Sequence, residues 1–286
     1  MAASKQEQAT DICGDALALG LPSSAHAHSG MLALGVIMLA LGILYLALAL
    51  RRQPTRRSWS RWRTISFTLG CVMVAASLYP PLVPYPHGDF REHMLQHLAL
   101  AMIAPILLVL AAPMTLLLRS LSVVHARALF RILKSAPVRF LTNPLIALTL
   151  NIGGMAALYF TPLYTIANHS PAWHLFLHVH FLAAGCLFAW VIAGPDPAPH
   201  RPSVPRRLVI LGVSIAFHAT LSQMLYAGFH TTVPAPAHEL RGGAELMYYG
   251  GDIAELLLAF ALVSTWKPRR RHERAKRSAS QPRALA

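Results

Sequence analysis

The chain has 286 residues, of which 55% are hydrophobic and only 13% are charged, and its formal net charge is +14. Soluble domains carry roughly 25% charged residues, so this composition excludes an ordinary soluble domain and favours a membrane protein with basic loops. The three cysteines lie far apart and form no CxxC pair, so they indicate neither a disulfide framework nor a thiolate metal site.

Seven apolar stretches approach the length of about 20 residues that a membrane-crossing helix needs. They lie near residues 30–50, 64–82, 92–118, 143–160, 172–193, 207–228 and 245–266. Pro105 and Pro113 predict a kink in the third stretch. The sequence therefore predicts an all-α fold, a seven-helix membrane bundle over 30–266. We expect a flexible extracytoplasmic tail over 1–29, with no signal peptide, and a basic cytoplasmic tail over 267–286.

The positive charges alternate between the two predicted sides of the membrane. Of the 25 Lys and Arg residues, 22 lie in the loops after the first, third and fifth stretches and in the C-terminal tail. The opposite side holds only Lys5, Arg91 and Arg241. The positive-inside rule then places the N-terminus outside and the C-terminus in the cytoplasm, which requires an odd number of spans. Since the basic charge lies in loops beside a bilayer, it argues against nucleic-acid binding.

The histidines are distributed unevenly over this predicted topology. Of the 15 histidines, only three fall in predicted cytoplasmic segments, and the other twelve lie in spans or on the outer side. Imidazole is the commonest side-chain metal ligand and suits copper and zinc. Many histidines without a cysteine pair therefore indicate a nitrogen-rich metal site.

Two histidine pairs have the spacing of metal ligands on one helical face. His93 and His97 are four residues apart at the start of the third stretch, and His174 and His178 repeat this spacing at the start of the fifth. Both stretches are predicted to run inward from the outer surface, so the pairs enter at the same level. We expect the four side chains to hold one ion or two linked ions, and we expect His180 to point away from them.

Further candidate ligands lie deeper or nearer the N-terminus. An ionisable residue within a span, such as His218 or Asp252, is expected to face the bundle interior, as is Glu255, three residues after Asp252. Asp252 is a candidate ligand, and either acid could also hydrogen-bond a ligating histidine. Thioethers and a flexible His-x-His arm complete the candidates, which are Met94, Met247, His26 and His28.

At these residues the chain resembles the seven-span CtaG-type cytochrome c oxidase assembly factors of bacteria. The matching stretches are EHMLQHLALAMIAPILLVLAAP (92–113), HLFLHVHFLAAGCLFAWVIAGPDP (174–197) and AELMYYGGDIAELLLAFALVSTW (244–266). The resemblance implies a non-enzymatic role in maturing haem–copper oxidases, with copper as the metal delivered. By position, it gives His93, His97, His174, His178 and His218 candidate ligand roles. The expected partners are a haem–copper oxidase subunit, a periplasmic copper donor and the bilayer of the bacterial inner membrane.

Three other functions use some of the same residues. An intramembrane zinc-dependent hydrolase would bind zinc through three histidines and activate water with an acid such as Asp252. A b-type haem protein would need single axial histidines at matched depths. A copper or proton-coupled transporter would need polar groups through the whole membrane, and the inner halves of the predicted spans contain few.

Overall fold

The computed structural model describes residues 23–51, 58–79, 84–86, 88–199, 201–264 and 266, with side chains from Gly30 onward. Within these ranges the chain is all-helical and contains no strand. The predicted C-terminal tail, 267–286, lies outside the described residues, as does most of the predicted N-terminal tail. Helix α1 begins at Ser23, before the predicted start of the first span. The all-α prediction is confirmed for the described residues.

Twelve α-helices and one π-helical turn make up the described chain. The first five are α1 (Ser23–Leu50), α2 (Arg61–Ser77), α3 (Phe90–His97), α4 (Ala104–Leu110) and α5 (Pro113–Ser120), with the π turn (Leu98–Ile103) between α3 and α4. The remainder are α6 (Val123–Leu133), α7 (Ala136–Leu141), α8 (Pro144–Phe160), α9 (Leu163–His169), α10 (Pro171–Ile192), α11 (Val204–Ala227) and α12 (Ala237–Ser264).

In the part of the chain that the structure describes, five helical segments are long and apolar enough to cross a membrane. They are Gly30–Leu50, Phe90–Leu110, Pro171–Ile192, Val204–Ala227 and Ala237–Ser264. A sixth candidate is the pair formed by α8 and α9, which is bent by 80°. Helix α2, in the second predicted stretch, has 17 residues in the described chain. The structure thus confirms a helical membrane protein with five or six candidate spans, while the count of seven and the orientation stay predictions.

The third predicted stretch, 92–118, is broken where the sequence places its prolines. Pro105 has no N–H to donate into the helix, and the preceding residues form the π turn. The helical run then ends at Leu110, because Ala112 adopts a left-handed backbone conformation with φ of 57° and Pro113 begins α5. The single long span predicted over 92–118 is therefore a span of Phe90–Leu110 followed by a separate short helix.

The interior of the bundle is built mainly from α3, α4 and α8 to α12. Helices α11 and α12 pack along each other, α12 also contacts α3, and α10 contacts α4, α8 and the π turn. Many large apolar side chains on α1 and α12 instead point outward, among them Ile43 and Phe260, which are 70% and 74% exposed. An outward apolar surface of this extent is what helices in contact with lipid present.

A buried carboxylate fixes the connection after α10. Asp196, in the Gly-Pro-Asp-Pro sequence, accepts hydrogen bonds from the backbone N–H groups of Met114 (3.0 Å) and Thr115 (2.7 Å) and from the Thr115 hydroxyl (2.6 Å). These N–H groups belong to the first turn of α5, whose N–H groups have no acceptor within the helix. The Arg207 guanidinium donates to the Ile192 carbonyl at the end of α10 (2.6 Å). The Gly-Pro-Asp-Pro sequence therefore ties α5 to the end of α10.

Candidate functional site

One small cavity brings the two predicted histidine pairs together. His93 and His97 line it from α3, and His174 and His178 line it from α10. The cavity has a volume of about 20 Å³, which is room for one water molecule or one ion. Its other lining residues are Gln96, Leu100, Leu158, Tyr164, Ala167, Asn168, Leu177 and Phe181.

The two pairs are placed alike in the bundle. In each pair the first histidine is half-buried and the second is buried, with His97 at 7% and His178 at 6% exposure. This follows from the spacing of four residues, since each pair lies on one face of a helix and extends about 6 Å along it. The cavity therefore has two partly accessible imidazoles and two enclosed ones.

The hydrogen bonds of the histidines show which ring nitrogens have a lone pair available to bind a metal ion. His178 Nδ1 lies 2.8 Å from the His174 carbonyl oxygen, which can only accept, so this nitrogen carries the proton. In the neutral ring the lone pair is then on Nε2. His97 Nδ1 is buried and has no hydrogen-bond partner among the described residues. Its ring meets the ring of Phe181 edge to face, with centroids 4.9 Å apart.

Tyr159 of α8 is a neighbour of the site that the sequence patterns did not indicate. It is fully buried, and its hydroxyl lies 3.3 Å from His93 Nε2 and 3.6 Å from the Met94 sulfur. The hydroxyl therefore restrains the orientation of the His93 ring. A lone tyrosine in an apolar stretch carries no spacing signal, which is why only the packing of α8 against the site reveals it.

Two acids within four residues of His93 hold the start of α3, the helix that carries the first pair. Asp89 caps the helix by accepting from Arg91 N (2.8 Å), and Glu92 accepts from Gly88 N (2.8 Å). This is a variant of the capping box, for which the sequence D-x-x-E is the signature. The side-chain hydrogen bond from Arg91 also lowers the pKa of the Asp89 carboxyl. The cap therefore stays ionised at neutral pH.

The four imidazoles are close together but are not arranged as a finished metal site. The rings of His174 and His178 have their centroids 4.6 Å apart. Among the described residues, no group of three or more His, Cys, Asp or Glu side chains has the geometry to hold a metal ion. Ion binding at this cavity would require the rings to turn toward a common point.

His218 does not line this cavity and has a different partner. It is buried in the middle of α11, 2% exposed, and its Nδ1 lies 3.7 Å from Oε2 of Glu255 on α12. The other Glu255 oxygen accepts a hydrogen bond from the Ser214 hydroxyl (3.2 Å). A Cβ atom at Gly251 would overlap the His218 ring, so this glycine is what allows the ring to lie against α12.

The remaining predicted ligands lie elsewhere. Asp252 is half-buried and does not line the histidine cavity; the acid beside His218 is Glu255. Met94 and Met247 are packed in the hydrophobic core and are 0% and 1% exposed. The side chains of His26 and His28 lie outside the described part of the structure.

His180 is turned away from the cavity, as its position on α10 predicts. Its ring stacks on Phe176, and a Cβ atom at Gly154 of α8 would come within 2.6 Å of its Nε2. It is not among the cavity-lining residues. This histidine is therefore a natural control for experiments on the two pairs.

The fold and the site together define a helical membrane protein with a histidine-lined cavity between its spans. The sequence matches the family described as cytochrome c oxidase caa3 assembly factor (Caa3_CtaG) over residues 43–268. The chain belongs to this family, and the resemblance to CtaG-type factors is confirmed.

Three curated mycobacterial proteins are similar to the chain. The uncharacterized protein Mb0105 of Mycobacterium bovis and the uncharacterized protein MT0111 of Mycobacterium tuberculosis are each 33% identical over 238 residues. The alignments cover 76% of this chain and 36% of each relative. The uncharacterized protein ML1998 of Mycobacterium leprae is 30% identical over 234 residues, 74% of this chain and 35% of that protein. The chain thus spans about a third of the length of these relatives. No solved structure matches the chain significantly.

Proposed function

We propose that the protein binds copper between α3 and α10 and passes it to a haem–copper oxidase subunit during oxidase assembly. The family supplies the connection to cytochrome c oxidase. The observation that carries the copper proposal is the lining of one cavity by His93, His97, His174 and His178. Imidazole nitrogens are good ligands for copper, and zinc is the alternative metal that the same set could bind.

The chemistry of the cavity suits a metal that is held and then released. His178 Nε2 has an available lone pair, and His97 Nδ1 has no competing partner among the described residues. Neutral imidazoles are displaced by other ligands more readily than thiolates are, and the two enclosed rings keep the ion away from lipid, where a charge is costly. Because the rings must turn to bind, the site is not rigidly fitted to one metal geometry.

The same cavity offers little support for the intramembrane hydrolase. Hydrolysis by a zinc site requires an acid or base near the metal-bound water. The described lining of the cavity contains four histidines, Gln96 and Asn168 but no carboxylate. Asp252, which the hydrolase hypothesis used, does not line it. The residues therefore favour binding of a metal over hydrolytic chemistry.

We also propose a topology of seven spans with the N-terminus outside and the C-terminus in the cytoplasm of a bacterium, the protein lying in its inner membrane. The support is the alternation of 22 basic residues against three. In this orientation the starts of α3 and α10 face the periplasm. Copper would then enter from a periplasmic donor and leave sideways to an oxidase subunit in the same bilayer.

The copper site is tested by metal content. The full-length protein is purified in detergent, loaded with copper and desalted, and copper, zinc and haem are quantified for the wild type, His93→Ala/His97→Ala and the control His180→Ala. We expect the double variant to lose bound copper and the control to keep it. Undiminished copper in a folded double variant would refute the site, and a Soret absorbance band would favour the haem alternative.

The assembly role needs a separate measurement in cells. Deleting the gene should leave the oxidase polypeptides in the membrane but deficient in copper, and growth medium with added copper should restore part of the activity. Re-expression of His180→Ala should restore oxidase activity, while His93→Ala/His97→Ala should not. Normal oxidase activity in the deletion strain would refute the role.

A further inference from the structure

His218 and Glu255 form a buried polar pair that the histidine cavity does not include. Their side chains are 3% and 5% exposed and come from two different helices, α11 and α12. Both ring nitrogens of His218 and Oε2 of Glu255 are buried without a hydrogen-bond partner among the described residues. Buried polar atoms nearly always have partners, because leaving one unsatisfied costs about 1–3 kcal/mol. Two of these atoms, His218 Nδ1 and Glu255 Oε2, lie 3.7 Å apart, and together they indicate a site that receives a ligand.

The separation of the two side chains indicates the kind of ligand. His218 Nδ1 and Glu255 Oε2 are 3.7 Å apart, which is beyond the roughly 2.7–3.2 Å of a direct N–H···O hydrogen bond. An ion that lies about 2.0–2.2 Å from a histidine nitrogen and a carboxylate oxygen can bridge this distance with a wide N–metal–O angle. The gap is thus too long for a hydrogen bond and suited to one bridging metal ion.

Two further features support a metal site at this pair. The second oxygen of Glu255 is held by the Ser214 hydroxyl at 3.2 Å, and carboxylates that bind metals are commonly oriented in this way. A cavity of about 30 Å³, whose polar lining residues are Glu255 and Asn151, adjoins the carboxylate and has room for a water ligand. The nitrogen-bearing edge of the His218 ring packs directly against Gly251 of α12, which restricts the position of the ring.

We propose that His218 and Glu255 form a second metal site that binds a divalent transition-metal ion, separate from the four-histidine cavity. A set of one imidazole and one carboxylate favours divalent ions such as Cu²⁺ or Zn²⁺ over Cu⁺, which prefers soft sulfur ligands. With only two protein ligands, this site should have a lower metal affinity than a site with four imidazole ligands. We infer that the metal occupies this site only transiently, while most of the bound metal is in the four-histidine cavity. This role depends on the proposed function, but the existence of the second site does not.

The test uses the full-length protein in detergent, with Cu²⁺ as the probe. Bound copper is measured by equilibrium dialysis and by electron paramagnetic resonance for the wild type, Glu255→Gln and Asp252→Asn. Glutamine keeps the size of the side chain but removes its charge, and Asp252 is the matched control, an acid one turn away on the same helix. We expect the wild type and the control to show two copper signals and Glu255→Gln to show one, with a loss of one equivalent.

The same measurement distinguishes copper at the His218–Glu255 site from copper in the four-histidine cavity. His93→Ala/His97→Ala should lose the other signal and retain the one that depends on Glu255. Two unchanged signals in Glu255→Gln, or a single wild-type signal that Glu255→Gln leaves unchanged, would overturn the second site. A single wild-type signal that Glu255→Gln removes would instead overturn the four-histidine site and leave the second site standing. If Glu255→Gln fails to fold, Ser214→Ala is the second variant, and we expect it to weaken the second site about tenfold; unchanged affinity there would also overturn the proposal.

Discussion

Substituting alanine for Gly251 gives a direct test of the contact between α11 and α12. An added Cβ would overlap the His218 ring, with the ring nitrogens Nδ1 and Nε2 only 2.6 and 2.9 Å away. The ring is 2% exposed, so it has little room to move. Overpacking of this kind costs about 1–3 kcal/mol, and here we expect the upper end of that range.

Gly212 of α11 is the matched control for this substitution. An added Cβ there would meet no atom within 4 Å, so Gly212→Ala adds only the better helix propensity of alanine, worth up to about 1 kcal/mol. The same gain applies to Gly251→Ala and reduces its net cost to about 2 kcal/mol. The free energies of unfolding of the two variants should therefore differ by about 3 kcal/mol and change in opposite directions from the wild type.

The free energies are measured by unfolding the purified protein in mixed micelles with increasing dodecyl sulfate, followed by tryptophan fluorescence. A Gly251→Ala protein as stable as the Gly212→Ala protein would show that the His218 ring does not lie against α12. The interpretation of the second metal site would then also lose its geometric basis. Copper binding by Gly251→Ala adds a further check, because a displaced ring should lower the amplitude of the signal that depends on Glu255.

Two other predictions concern residues outside the metal pairs. Replacing Asp196 by alanine removes the acceptor of two N–H groups and one hydroxyl at the start of α5, and should lower the free energy of unfolding by about 2–3 kcal/mol in the same assay; no change would mean that α5 is held by other contacts. Tyr159→Phe removes the hydroxyl beside His93 and should weaken copper binding about tenfold, measured by competition with a chelator, with stability nearly unchanged. Equal affinity in the two proteins would show that the hydroxyl does not orient the ring.

The spacing of the histidine pairs could be predicted from the sequence because it depends on local structure alone: a separation of four residues places two side chains on one face of any helix. Their common level was inferred from the predicted topology, in which both stretches run inward, and it stays a prediction. The packing of α10 against the π turn and α4, which directly follow α3, puts both pairs on one cavity, and no spacing in the sequence encodes this packing. Which apolar stretches are neighbours cannot be read from their sequences, and the structure shows that the third and fifth stretches pack against each other.

The neighbours of His218 and Asp252 could not be predicted from residue spacing. The position of His218 within its predicted span places it in the bundle interior, but that position does not determine which side chain it contacts there. Asp252 and Glu255 are three residues apart and nearly share a helical face, so the sequence alone could not say which acid points inward. The packing of α12 on α11 decides it: Glu255 is 4% exposed and meets His218, while Asp252 is only half-buried.

The helix break at Pro105 helps to explain why the two pairs share a cavity. Proline cannot donate to the carbonyl one turn before it, and the chain forms a π turn over Leu98–Ile103 directly after His97. The Ala101 carbonyl lies against Gly185 of α10, where a Cβ would collide with it and with the Pro105 ring. Gly185 is about two turns beyond His178 on α10, so this contact joins the same two segments that carry the cavity-lining histidines. The absence of a side chain at Gly185 of α10 thus lets the segment formed by α3, the π turn and α4 pack closely against α10, and the two histidine pairs line one cavity between them.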